Sequence, residues 1–197
     1  MHRVYARPAL VAGLALTLAG CGINSIPTAE EAVKARWADV QNNYQRRADL
    51  IPNLVATVKA AGAQEKDVLV QVTQARAGAS QVRVSGDQLT DPAAVANFER
   101  AQNAVTLSLQ RLQEAYPELR SQGNYTTLMS QLEGTENRIA ISRNDYNQAV
   151  QAYNTRIRTF PDAVGAKIFY GAKPITPFQA TTPGADTAPQ VNFGNTN

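Results

Sequence analysis

Apolar residues recur along this chain at alternating steps of four and three, and that periodicity decides what it can fold into. Val33, Trp37, Val40, Tyr44, Arg47, Ile51, Leu54, Val58 and Ala61 form the first stripe. Positions so spaced share one face of a helix, and that face has to be buried against another helix. Gly62 follows, suited to the left-handed residue that ends a helix. A shorter stripe runs through Val68, Val72, Ala75, Ala79 and Val82 and stops at the turn-rich Ser85-Gly86-Asp87. Asp91 and Pro92 read as N-cap and first helical residue of a third helix, with the stripe Val95, Phe98, Gln102, Val105, Leu109, Leu112, Tyr116. The longest stripe is Tyr125, Met129, Leu132, Glu136, Ile139, Arg143, Tyr146, Val150, Tyr153, Ile157, Phe160, closed by Pro161.

Four amphipathic helices joined by short loops pack best beside their chain neighbours. The expected fold is all-α: an elongated antiparallel up-down-up-down four-helix bundle, with a kinked first helix and an irregular C-terminal tail. The bundle is expected over residues 29–161, followed by a fold-back segment at 162–179 that carries Ile168, Phe169, Tyr170, Ile175 and Phe178. Residues 180–197, rich in Thr, Pro, Gly and Asn, have little to bury and read as a disordered tail.

Polar residues interrupt three of the stripes: Arg47, Gln102, Glu136 and Arg143 stand where the pattern calls for apolar side chains. A buried unpaired charge is expensive, so Glu136, the only acid on the stripes, is expected to pair with Arg47 or Arg143. Asp49 and Asp145 are the reserve partners. Three readings stay open: a structural register layer, arginine stems that snorkel to water, or a ligand site. Pro52 lies beside the first stripe, which keeps its phase through it. A bent, continuous helix follows, in which the freed Ala48 carbonyl needs an arginine or asparagine from a neighbouring helix, or water. In the fourth helix, Tyr146-Asn147 and Tyr153-Asn154 repeat seven residues apart. Their tyrosines read as core, and their asparagines either bond across helices or face solvent. Gly134, inside the same helix, suggests close approach of another backbone.

The N-terminus has a different logic. Arg3 and Arg7 precede an apolar run from Ala9 to Ala19, too short for a bilayer core that needs about 20 residues. Leu18-Ala19-Gly20-Cys21 then matches a bacterial lipobox, which makes residues 1–20 a lipoprotein signal peptide, Cys21 the acylated residue and 21–28 a tether. The alternative is an ordinary signal peptide or short anchor with an incidental cysteine. Removal of the segment takes Arg3 and Arg7 from the 19 basic residues and none of the 16 acidic ones, leaving a mature charge of +1. Nucleic acid is therefore not an expected partner.

The chain's one histidine, His2, leaves with the signal, and its one cysteine is the acylation point. Ser-His-Asp, Cys-His and the common zinc and haem ligations have no residues to build them. No cofactor is expected and the chain does not read as an enzyme.

The segments RRADLIPNLVATVKA (46–60), YPEL (116–119) and EGTENRIAISRNDYNQAVQAYNTRIRTFP (133–161) resemble the signature regions of the LemA family, and the resemblance spans about residues 28–178. It implies an all-helical antiparallel bundle held at a bacterial membrane, in the manner of accessory or scaffolding proteins associated in some bacteria with membrane proteases or envelope stress. Two features depart from the family pattern. A lipobox replaces the N-terminal transmembrane helix of many relatives, and Gln64-Glu65 stands where relatives often carry His-Glu. The expected function is a lipid-anchored scaffold or adaptor on the extracytoplasmic side, in the outer membrane if one is present, since Gly22 rather than aspartate follows the cysteine. The rival is a peptide- or protein-binding module that uses Arg46, Asn137, Arg138 and Asn147. A homo-oligomer is a third possibility.

Overall fold

The computed structural model describes residues 24–62 and 66–179 of the 197-residue chain. The expected signal segment with Cys21, the Gln64-Glu65 pair and the expected tail at 180–197 lie outside the described residues. Four helices form the body: α1 (Ser25–Ala60), α2 (Lys66–Gln81), α3 (Pro92–Ala115) and α4 (Gly123–Arg156). Short 3-10 turns at Gly86–Thr90 and Pro117–Ser121 join the second pair of helices and lead into α4. At 36 and 34 residues, α1 and α4 are each about 50 Å long at 1.5 Å per residue.

Local signals set the helix ends. Gly62 adopts φ 84° and donates to the Lys59 carbonyl at 3.1 Å, a conformation glycine takes without Cβ strain. Asp91 accepts from the Ala93 amide at 2.9 Å, capping α3 with Pro92 at the first position. α1 begins at Ser25, inside the stretch expected as a tether, because Ile26 is buried in the core and Thr28 bonds back to the Asn24 carbonyl. α4 ends at Arg156, one turn before Phe160, which is 86 % exposed and belongs to no core.

Directions follow from the contacts. Arg47 of α1 meets Glu136 of α4 and Arg156 reaches the Ser25 carbonyl, so α1 and α4 run antiparallel along their length. Arg76 reaches Ala48 across the α1–α2 hairpin, and Arg111 of α3 reaches Gln71 of α2. α1 and α3 are therefore parallel, with Trp37 and Tyr44 on Phe98 and Arg47 on Gln102. This is the up-down-up-down order.

The stripes of α1 and α3 fall on the buried face nearly position for position. On α4 the stripe is buried at Tyr125, Leu132, Ile139, Tyr146, Val150 and Tyr153, half-buried at Met129, Glu136, Arg143 and Ile157, and exposed at Phe160; that of α2 is shifted by one residue at its start, with Leu69 buried and Val68 only half-buried. Burial of each such Leu, Ile or Val stabilises the fold by about 1.5–3 kcal/mol. Ala61 is exposed beyond the helix end. α4 also buries Thr135 and Ser142, whose hydroxyls bond back to the Gln131 and Ile139 carbonyls. Gly134 has no neighbouring backbone: a Cβ there meets nothing within 4 Å.

The buried residues divide into two clusters. One, toward the start of α1 and the end of α4, contains Trp37, Tyr44, Phe98, Tyr146, Tyr153 and Phe178. The other, at the far end, is mostly aliphatic, with Ile51, Leu54, Val58, Leu109 and Leu112.

Candidate functional site

Between the two clusters lies a polar septum. On α1 the apolar stripe passes from Tyr44 to Ile51 through Arg47, on α3 from Phe98 to Val105 through Gln102, and on α4 from Leu132 to Ile139 through Glu136. Arg47 is 2 % exposed. One of its terminal nitrogens donates to the Glu136 carboxylate and to Thr106 Oγ1, both at 2.9 Å. The other donates to the Gln102 side chain at 2.8 Å and to its carbonyl at 3.0 Å. The Tyr44 ring lies 5.0 Å from the guanidinium carbon. Four acceptors on two other helices thus fix one cation, a geometry a planar fork of donors can satisfy and a lysine could not. A one-turn slip of any of these helices would strand the charge, so the septum sets register.

Arg143 lies outside this layer. Because Arg47 stands level with Glu136, Arg143 comes about 10 Å further along α4 by helical rise. There it donates to Glu99 at 3.1 Å and to the Gln179 carbonyl at 3.0 Å, with its guanidinium 4.6 Å from the Phe178 ring. Neither arginine uses the reserve acids; Asp49 accepts from Gln45 instead.

Pro52 leaves α1 continuous. The Ala48 carbonyl that it deprives of a donor accepts from Arg76 Nε of α2 at 2.7 Å, so an arginine from the neighbouring helix repairs the gap.

The Tyr-Asn repeat has the most specific role. Past Gly171, whose φ of 54° turns the chain, residues 174–179 run extended along the bundle. Asn154 grips Ile175 through both backbone groups at 2.8 and 2.9 Å, and Asn147 grips Phe178 likewise at 3.1 and 2.8 Å. Seven helical residues and three extended ones each span about 10 Å, which is why one repeat reads the other. Tyr146 donates to the Thr176 carbonyl, the Thr176 amide donates to the Leu89 carbonyl, and the Gln179 amide donates to Glu99. Pro174 and Pro177 have no amide to satisfy, so every N–H of this strap is bonded. Burial, reinforced by the Glu99 charge, pushes the Tyr146 phenol well above its ordinary range, keeping it a donor. Burial likewise raises the Glu99 carboxyl, against the pull of the Gln179 amide and Arg143.

Asn147 is consequently committed to the strap rather than to a partner surface. Arg46, Asn137 and Arg138 remain exposed, beside the septum in sequence. Glu136 is 38 % exposed on its outer side and opens onto a groove of about 590 Å³ lined by Leu109, Arg120, Tyr125, Met129 and Asn137. The Tyr125 hydroxyl is buried beside it without a hydrogen-bond partner. A second groove, of about 510 Å³, is lined by Tyr44, Gln45, Arg76, Ser80 and Arg83. Among the described residues no group of three or more His, Cys, Asp or Glu is placed to hold a metal ion, and no helix is long and apolar enough to cross a membrane.

Sequence reasoning missed Thr106 and Arg76 as partners. Both lie off the apolar stripes, so periodicity carries no signal for them.

The LemA family model matches residues 36–193, most of the chain, which therefore belongs to the LemA family. No curated protein matches it significantly.

Proposed function

We propose that this LemA-family chain is a non-enzymatic, lipid-anchored scaffold of the bacterial cell envelope, attached through acylated Cys21 on the extracytoplasmic side. The observation that carries the reading is the junction of anchor and rod. Cys21 precedes Asn24, the first described residue, by three residues, and Ser25 already begins a helix about 50 Å long. A multiply acylated cysteine holds such a rod stably, where a single chain would be marginal. The interior polar groups support a structural role, since Arg47, Gln102, Glu136 and Arg143 are all bonded between helices or to the strap. Gly22 favours the outer membrane where a cell has one.

Metabolic labelling with a palmitate analogue tests the anchor. Label is expected in wild type and lost in Cys21→Ala, and equal incorporation in the two ends the proposal. Proximity labelling from the anchored chain then identifies what it holds.

A second reading, capture of a peptide or protein, is favoured by the groove beside Tyr125 and Glu136, where a buried hydroxyl has no partner and Asn137 lies at the rim. Charge reversal at Arg46 and Arg138, which flank the septum, is expected to change the set of proximity-labelled proteins. An unaltered set removes those two side chains from the reading.

A further inference from the structure

Exposed large apolar side chains are concentrated at one end of the rod. Five of the eight among the described residues fall within 160–170: Phe160, Val164, Ile168, Phe169 and Tyr170. Ile168 and Phe169 are 68 and 66 % exposed, although the sequence pattern assigned them to the fold-back. Only Ala166 of the short helical turns Asp162–Gly165 and Ala166–Tyr170 is buried, and it anchors the segment to the aromatic cluster.

This end is the one from which the N-terminal segment departs. Ser25 Oγ donates to Asp162 at 2.8 Å, Arg156 donates to the Ser25 carbonyl at 3.1 Å, and a Cβ on Gly165 would lie 3.8 Å from Ile26. Asn24 stands three positions after Cys21, a reach of at most about 11 Å when fully extended. An anchor at Cys21, or in an apolar run ending at Ala19, keeps the apolar end within about 18 Å of the membrane surface.

Charge is also concentrated here. Residues 156–173 carry four basic side chains, Arg156, Arg158, Lys167 and Lys173, against the single acid Asp162, which is paired with Arg156. The mature chain as a whole is close to neutral, so the basic excess is local.

We propose that this end is a membrane-contact surface: Phe160, Ile168, Phe169 and Tyr170 lie in the interfacial layer of the bilayer, and Lys167, Lys173 and Arg158 meet anionic lipid headgroups. Aromatic and apolar side chains flanked by lysine are the composition that settles at that depth, about 5–10 Å into the headgroup boundary. The rod then stands end-on, with its aliphatic far end projected away from the membrane. The inference rests on N-terminal attachment but not on acylation as its chemistry.

The test uses the full chain reconstituted into phosphatidylethanolamine–phosphatidylglycerol vesicles with lipids brominated near the headgroup. Relative to the wild-type chain, whose buried Trp37 emits in every variant, the emission added by Phe169→Trp is expected to be mostly quenched and shifted to the blue. That added by Leu107→Trp, on α3 five residues beyond Gln102, which bonds Arg47 about 33 Å along α1 from Ser25, is expected to be neither. Equal quenching at both positions, or at neither, overturns the proposal. Lys167→Glu with Lys173→Glu is expected to weaken quenching of the Phe169→Trp probe in these vesicles and not in neutral ones, and insensitivity overturns the headgroup contact. The Cys21→Ala chain, still carrying its apolar segment, is expected to keep the Phe169→Trp quenching, so a failure of acylation and a failure of the contact surface are distinguishable.

Discussion

The two halves of the bundle are built by different means. Toward the start of α1, Trp37 packs on Phe98, Tyr146 and Phe178 with ring centroids 5.1 to 5.6 Å apart, and the strap closes the cluster. Tyrosine and tryptophan bring polar atoms into this core, and each needs an address: Trp37 finds the Val84 carbonyl and Tyr146 the Thr176 carbonyl. At the far end, Ile, Leu and Val make no such demands, and α2 and α3 cover them mainly by apolar packing. The aromatic half therefore depends also on the strap, a segment outside the four helices, through contacts such as Tyr146 with Thr176, whereas the aliphatic half is closed by packing of the helices themselves. The septum at Arg47 keeps the two in register.

The largest expected effect lies at that septum. Glu136→Leu leaves Arg47 buried without its counter-charge and is expected to destabilise the fold by about 3–5 kcal/mol. Arg47→Met should cost less, about 1–3 kcal/mol, because Glu136 is part-exposed and can turn to water while Gln102 loses a donor. Thermal melts of both, and of the double variant, check the order; a costlier Arg47→Met would mean that Glu136 does not carry the pair.

Next comes the strap. Asn147→Ala and Asn154→Ala each remove two hydrogen bonds, and each is expected to cost about 1–3 kcal/mol. Hydrogen exchange should lose protection at the Ile175 and Phe178 amides and nearby in the aromatic half, and leave Leu54 and Leu112 unchanged. Uniform loss across both halves would show that the halves are one cooperative unit.

Arg76→Met is expected to cost about 1 kcal/mol in wild type and close to nothing in a Pro52→Ala background, where the Ala48 carbonyl regains a helical donor. Equal losses in both backgrounds would leave Arg76 with a packing role only.

The smallest effect is pH-dependent. Burial raises the Glu99 carboxyl above its ordinary 4.5, so the folded state holds that proton more tightly than the unfolded chain. This contribution is present below about pH 4.5 and is lost as pH rises through the raised value. Denaturant titrations from pH 4 to 7 should show a shallower decline in Glu99→Gln, and parallel profiles would contradict the raised pKa.

Much of this was legible in the chain. Stripe spacing gave four helices because a shared face must be buried whatever the partner. Asp91-Pro92 and Gly62 marked ends through local backbone chemistry, and the single acid on the stripes had to meet an arginine. Which arginine was not legible, since periodicity repeats every turn and leaves axial register free. Nor was the role of Asn147 and Asn154, because a polar residue beside a stripe looks the same whether it faces water or a strap.

By itself, then, the sequence determined the helices, their buried faces and the local caps, all consequences of interactions within a few residues. Only the tertiary structure decided that Arg47 takes Glu136 while Arg143 takes Glu99 and the strap, that Arg76 repairs the proline gap, and that Ile168 and Phe169 stay outside the core. Those outcomes depend on how helices slide and where a distant segment returns. Such choices are fixed by the packing of whole side chains against one another, which no local pattern encodes.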